Sequence, residues 1–192
     1  LILIITDSLG APRRTPETLT YKETWIYKFT KEVNRMGIDV HSISKKGIDS
    51  NLLLKKLKLR IKLYQPDLVI YQVGIVDCAP RCLTLKEKKI LDASPKFIQK
   101  PIKRFIKKHY GKISSYRKIT NVNPENFDDN IKKLSSLARS VFIPIAPVAD
   151  GYDIVLPGIT DHAVLYNEIL KKHSLIWLKD FLNVPSNERK SM

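Results

Sequence analysis

The chain has few acids, few glycines and almost no cysteine. Its 192 residues include two cysteines, Cys78 and Cys82, four positions apart. Two thiols make neither a disulfide framework nor a complete zinc site, so reduced thiols and no metal are expected. The seven glycines are scattered, and none falls into G-x-G-x-x-G or a P-loop, so no glycine-rich phosphate cradle and no cofactor are expected. No apolar run approaches the roughly 20 residues that cross a bilayer. The chain opens directly in an apolar run, with no basic n-region and no cleavage site, and this reads as a cytoplasmic protein, at most peripheral to a membrane. It also lacks an initiator Met, so a few residues are expected to precede Leu1. No internal repeat and no low-complexity tract is present apart from a lysine bias.

The shortage of acid matters most. Nineteen Asp or Glu face 34 Lys or Arg, a net charge of +15. The excess is concentrated: residues 86–118 hold twelve Lys or Arg and only Glu87 and Asp92 as acids, a local charge of +10. Such a patch suits nucleic acid, an anionic membrane surface or an acidic glycan, or is simply a solvated face. Nucleic acid is the least expected of these, because aromatics interleave only at Phe97, Phe105, Tyr110 and Tyr116 and no RNP-like or helix-turn-helix signature is present.

Apolar residues make up 43% of the chain, enough for one sizeable core, and the length fits one domain with an insertion. Leu1–Ile5 reads as a strand buried on both faces. Thr20–Met36 follows as a helix with Trp25, Ile26, Phe29 and Val33 on one stripe, closed by Gly37. Asp39–Ile43 is a second strand, Ser50–Tyr64 a helix stopped by Gln65-Pro66-Asp67, and Leu68–Val73 a third strand ending at Gly74. Residues 81–126 form a basic, helix-like insertion with apolar spacing at Phe97, Ile98, Ile102, Phe105 and Ile106. Phe127–Ser140 is a helix, Val141–Ala146 a strand, Gly151–Gly158 a loop, and Thr160–Lys172 a helix capped by Thr160 or Asp161. Ser174–Leu178 is a fifth strand. Strands alternating with helices imply a three-layer α/β sandwich with a parallel, flavodoxin-like sheet of about five strands. Ligand sites in such sheets lie at the carboxyl ends of the strands. Ser8, Gly47, Gly74 to Asp77 and the loop after the fourth strand are all due there.

Ser8 follows the first strand immediately, in Thr6-Asp7-Ser8-Leu9-Gly10. It reads either as a nucleophile or as the cap of the next helix. As a nucleophile it needs a base and donors aimed at an oxyanion. The Ser8 amide at a strand-to-turn junction is one such donor. Gly47, after the second strand, is either a second donor or a plain turn residue. Cys78 beside Asp77 reads as an inert buried thiol rather than as a nucleophile.

The order Asp7-Ser8-Leu9, then Gly47, then Gly74-x-x-Asp77 resembles blocks I, II and III of the SGNH (GDSL) hydrolases. Ser8-Leu9-Gly10-x-Pro12-Arg13, Thr24-Trp25, the run Gly74 to Arg81 and Tyr166-Asn167-x-Ile169-Leu170 resemble a subgroup linked to bacterial surface-polysaccharide loci. The resemblance covers most of the chain and only loosely residues 86–118. It implies a single SGNH-like domain over residues 1–192, carrying the insertion at about 81–126. It also implies a serine-dependent carbohydrate esterase or O-acyltransferase acting on a surface polysaccharide or its precursor.

The family's block III carries an oxyanion-donating Asn where this chain has Val76. Asp77 keeps the acidic position, and a structural role is expected for it, bonding amides of its own turn. The family's block V, Asp-x-x-His, is absent from the chain. His41 lies in a strand, His109 in the insertion, and His173 at a helix end. His162 opens the helix after the fourth strand and is the candidate base within the sequence, although Asp161 beside it cannot orient it. Block V is due after the fifth strand, so the expected base lies beyond Met192. The site expected is thus Ser8 as nucleophile, Ser8, Gly47, Gly74 and Asp77 around the oxyanion, and His162 or a later histidine as base. The partners expected are an acyl-ester or carbohydrate substrate and, at the insertion, an anionic glycan or membrane surface. On the alternative reading the domain is catalytically weakened and serves as a binding module for one of those anions. The apolar side of residues 86–118, including Phe97, Ile102, Phe105 and Ile106, is expected to pack beside the site with its lysines outward.

Overall fold

The computed structural model describes residues 1–14, 18–148 and 151–177. Four parallel strands form the central sheet in the order β2-β1-β3-β6: β1 (Ile2–Thr6), β2 (Val40–Ser44), β3 (Leu68–Gln72) and β6 (Ser140–Phe142). β1 lies between β2 and β3, with Ile4 opposite Ser42 on one side and Ile70 on the other. This central place explains its unbroken apolar spelling. Alternate residues point to opposite faces: Leu3, Ile5, Val69 and Tyr71 enter the larger core, while Ile4 and Ile70 enter a smaller one.

The larger core is closed by α2 (Ser50–Tyr64), α7 (Pro124–Ser135) and α9 (Ile159–His173), and the smaller by α1 (Trp25–Arg35) through Ile26, Trp25 and Phe29. Helices therefore cover both faces of a parallel sheet, as the alternation of elements implies. The helix over Ser50–Tyr64 matches its sequence expectation. Asp49 caps it by accepting from the Leu52 amide, and Gln65 ends it in the left-handed region.

Several boundaries differ. Helix α1 starts at Trp25, because the Thr24 side chain accepts from the Tyr27 amide and a separate 3-10 turn occupies Tyr21–Glu23. Strand β2 runs one residue later than expected. Helix α7 starts at Pro124, with proline in the first turn and Asn123 as cap, rather than at Phe127. The cap of α9 is Gly158, at φ +83°, and not Thr160 or Asp161. The loop before it contains a helical turn, α8 (Tyr152–Val155). Ser174–Trp177 forms no strand, yet it runs beside β6: the Leu175 amide donates to the Ser140 carbonyl and the Phe142 amide to Ser174 Oγ. Leu178 lies outside the described residues.

After β3 comes the one-turn helix α3 (Ile75–Cys78). The basic segment then leaves the sheet and returns through a short antiparallel pair, β4 (Pro80–Arg81) with β5 (Ile119–Thr120). Between them stand α4 (Leu85–Ala93), α5 (Lys96–Lys108) and α6 (Tyr110–Arg117). Arg117 clamps the unit by bonding both carboxylate oxygens of Glu87 and the Cys82 carbonyl. Its guanidinium, with the Thr84 amide, holds the Glu87 carboxyl down at about 2. The expected burial of the insertion's apolar side is not found: Phe97, Ile102 and Phe105 are exposed, and only Ile106 is partly covered. The periodicity marks an apolar face but does not say what covers it. Among the described residues no helix is long and apolar enough to cross a membrane.

Candidate active site

The carboxyl end of β1 delivers Asp7 and Ser8 into a tight 3-10 turn, Ser8–Gly10. Asp7, fully buried, accepts from the Leu9 amide at 2.8 Å and so caps that turn. Its burial raises the carboxyl above its ordinary range, and the Leu9 bond opposes this in part. The capping role thus belongs to Asp7, which leaves Ser8 unengaged. Ser8 is half-buried, and among the described residues its hydroxyl has no hydrogen-bond partner and its amide no acceptor. The turn folds tightly over β1, since a Cβ on Gly10 would lie 2.3 Å from Thr6 Oγ1 and 2.8 Å from Ile26 Cδ1.

Gly47 sits in the turn after β2, the strand next to β1, at the same edge of the sheet. Two bonds lace these strand ends together: the Lys45 amide to the Thr6 carbonyl at 2.9 Å, and Thr6 Oγ1 with Ser44 Oγ at 2.9 Å. Gly47 is exposed and its amide is unpaired among the described residues. Gly74, which caps α3, lies at φ +116°, and a Cβ there would meet Ile145 Cδ1 at 2.8 Å. Both the backbone and the packing therefore require glycine at Gly74.

Asp77 reaches beyond its own turn. Its Oδ1 accepts from the amide of Ser50, the first residue of α2, at 2.8 Å, while its carbonyl accepts from the Asn121 and Val122 amides. It ties α3, the start of α2 and the return of the insertion together. Oδ2 is buried without a partner. Burial pushes the Asp77 carboxyl up to about 7, against the Ser50 bonds and with help from Asp49. Cys78 is buried too, and burial followed by the neighbouring Asp77 pushes its thiol up to about 12, which makes it a poor nucleophile at neutral pH.

His162, in the first turn of α9, places Nδ1 3.0 Å from the Cys78 carbonyl oxygen. A carbonyl only accepts, so Nδ1 carries the proton and Nε2 of the neutral ring keeps its lone pair. The backbone of α3, rather than Asp161, orients this ring. The other histidines are engaged elsewhere or lie in the insertion: His41 bonds Tyr64, His173 bonds Asp128, and His109 ends α5. Among the described residues no cluster of three or more His, Cys, Asp or Glu is suited to hold a metal ion.

One residue escaped the sequence reading. Gln72, the last residue of β3, pairs in register with Thr6, and its carbonyl accepts from the Asp7 amide. Its Oε1 accepts from the Trp25 indole at 2.9 Å. Indole only donates, so the Gln72 amide nitrogen is turned away from Trp25, and it has no acceptor among the described residues. Gln72 lines a narrow crevice with Asp7, Leu9, Val73, Ile75 and Ile145, with space for about one water. A glutamine ending an apolar strand gives no signal in sequence; it takes Trp25, on another element, to orient it.

No family model matches the chain, and no curated protein matches it in sequence. Solved structures do. The chain is similar to the lipase/acylhydrolase of Enterococcus faecalis at TM-score 0.54 and 13% identity, over 90% of this chain and 70% of that one. It is similar to TesA at TM-score 0.53 and 13% identity, over 98% and 91%. It is also similar to AlinE4, an SGNH-hydrolase family esterase, at TM-score 0.51 and 14% identity, over 90% and 71%. At such identities the likeness speaks for the fold, and the parallel four-stranded sheet with helices on both faces agrees with it. The chain has the SGNH-hydrolase fold.

Proposed function

We propose that the protein is a serine-dependent esterase or O-acyltransferase whose substrate is an acylated sugar of a bacterial surface polysaccharide or of its precursor. One observation carries the reading. In an SGNH-type fold, Ser8 stands at the carboxyl end of the central strand with a free hydroxyl, because Asp7 and not Ser8 caps the turn. A structural neighbour described as an acetylxylan esterase, a catalytic mutant of Axe2 from Geobacillus stearothermophilus, supports the carbohydrate-ester class (TM-score 0.51, 12% identity).

Ser8 Oγ attacks the acyl carbonyl. The developing oxyanion accepts from the amides of Ser8 and Gly47, and the Gln72 side-chain amide takes the place of the donor that Val76 does not supply. His162 Nε2 is the base among the described residues: it accepts the serine proton and returns it to the departing alkoxide. Water, or a sugar hydroxyl in the transferase case, then releases the acyl group from Ser8.

Turnover of p-nitrophenyl acetate by the wild type, abolished in a folded Ser8→Ala variant, is the expected result. Hydrolysis that survives Ser8→Ala unchanged refutes the reading. His162→Gln separates the base: a loss near that of Ser8→Ala assigns the role to His162, whereas unchanged turnover moves it to another histidine. An acyl-acceptor assay with a sugar in excess distinguishes transfer from hydrolysis.

A further inference from the structure

We propose that α5 is a membrane-docking helix that seats this protein on an anionic lipid surface. The inference rests on the insertion and is independent of the role given to Ser8.

The helix Lys96–Lys108 buries none of its residues. Its side chains fall into rows at four-residue spacing. Phe97, Pro101 and Phe105 make one apolar row, and Ile98 and Ile102 the next. Phe97 is 77% exposed, Phe105 60%, Ile102 41% and Ile98 39%. Lys96, Lys100, Arg104 and Lys108 form the row along the other flank. None of these four has a carboxylate partner among the described residues.

The orientation is held by the third side of the helix. Gln99 donates to the carbonyls of Asp92 and Ser94, each at 2.8 Å, and Lys103 pairs with Asp92 at 2.8 Å. Those bonds fix the helix to α4 and leave the phenylalanines facing solvent, with the isoleucines beside them partly covered. A helix that only decorates a soluble surface has no reason to carry two phenylalanines and two isoleucines in adjacent rows. An exposed apolar face of this kind marks an interaction site.

Charge selects the occupant. A helix with aromatic and branched apolar residues on one face and lysine and arginine on the flank is built for the boundary between anionic headgroups and acyl chains. The local charge of +10 over residues 86–118 repels a second copy of the same face and attracts a negative leaflet. The surface beside α5 is compatible with this. Beside α5 lies an open groove of about 730 Å³, whose lining includes Leu91, Ile106 and Leu156 with Lys88, Lys107 and the Lys103–Asp92 pair. On its far side Ile154 and Val155 are also exposed.

The test is flotation of the full chain with vesicles of phosphatidylcholine alone and of phosphatidylcholine mixed with phosphatidylglycerol, at low and high salt. Binding is expected only to the mixed vesicles, and it should weaken with salt. Phe97→Ser with Phe105→Ser should weaken it at least about tenfold, because the apolar contribution is lost. Lys100→Gln, Arg104→Gln and Lys108→Gln together should weaken it about 100-fold. Lys132→Gln, Lys133→Gln and Arg139→Gln, which remove the same charge from another face, should change it by no more than a few-fold. All these positions are exposed, and circular dichroism verifies that each variant folds. No binding to the mixed vesicles overturns the proposal. So does binding that needs the basic row but not the phenylalanines, since that is a plain polyanion contact. A lipid-free dimer in light scattering, lost in the phenylalanine variant, also overturns it by giving the face to a second copy.

Discussion

Asp77→Asn tests the electrostatics of the site's scaffold. The wild-type carboxyl is fully buried and titrates at about 7, against 3.8 for the ordinary group. A rise of roughly 3 units corresponds to a ceiling of about 4 kcal/mol. The sign follows from proton binding. Between about pH 4 and pH 7 the folded protein holds this proton and the unfolded chain has lost it, so stability falls as pH rises through that window. Above about pH 7 the full cost is present, and below about pH 4 it is gone. The amide cannot ionise and keeps an oxygen for the Ser50 amide. Its nitrogen replaces Oδ2, which has no partner, and an unpaired buried donor costs about 1–3 kcal/mol. The variant should therefore be more stable than wild type by roughly 1–3 kcal/mol at pH 8, and between equal to it and about 2 kcal/mol weaker at pH 4.5. Urea unfolding of both proteins at both pH values measures this, with an unchanged m-value as the control. A stability difference that is the same at the two pH values refutes the reasoning. A larger loss at pH 8 refutes it too, because it would mean a favourably bound carboxylate.

Trp25→Phe removes the indole donor that orients Gln72 and should lower kcat for an ester about tenfold with KM unchanged; Gln72→Leu should cost about 10²-fold, as loss of one oxyanion donor does. Equal kcat in Gln72→Leu and wild type would remove Gln72 from the mechanism. Gly74→Ala must accept φ +116° and a contact of 2.8 Å with Ile145, so it should destabilise by more than about 2 kcal/mol in thermal or urea unfolding. Leu57→Ala, in the buried stripe of α2, should cost about 2–5 kcal/mol with esterase turnover per folded molecule unchanged.

Where one element carries its own signal, the sequence is readable. The helix Ser50–Tyr64 is framed by an aspartate cap and by Gln65-Pro66, and its leucines repeat at helical spacing, so its ends coincide with expectation. Helix α7 carries an equally local signal in Asn123-Pro124, a side-chain cap followed by proline in the first turn, and begins there rather than at the expected Phe127. The cap of α9 was not legible, because its glycine depends on a left-handed backbone that the preceding loop imposes. The Ser174–Trp177 segment has strand composition, but it meets β6 through only a few bonds. The carboxyl ends of β1, β2 and β3 were legible as one edge, because a parallel sheet directs them the same way. What Asp77 binds there was not, because its amide partner lies 27 residues away on α2.

From sequence alone come the layered α/β class, the burial of the first strand on both faces and the candidacy of Ser8. Each is local: a strand buried on both faces must be apolar throughout, and a polar residue directly after it must sit at the sheet's ligand edge. Tertiary structure decided which group caps the Ser8 turn, which atom of His162 carries its proton, which way Gln72 points, and that the phenylalanines of α5 are uncovered. Each of these depends on a partner distant in the chain or on the absence of one. Hydrogen bonds and burial are properties of pairs in space, and periodicity along one segment carries no record of what packs against it.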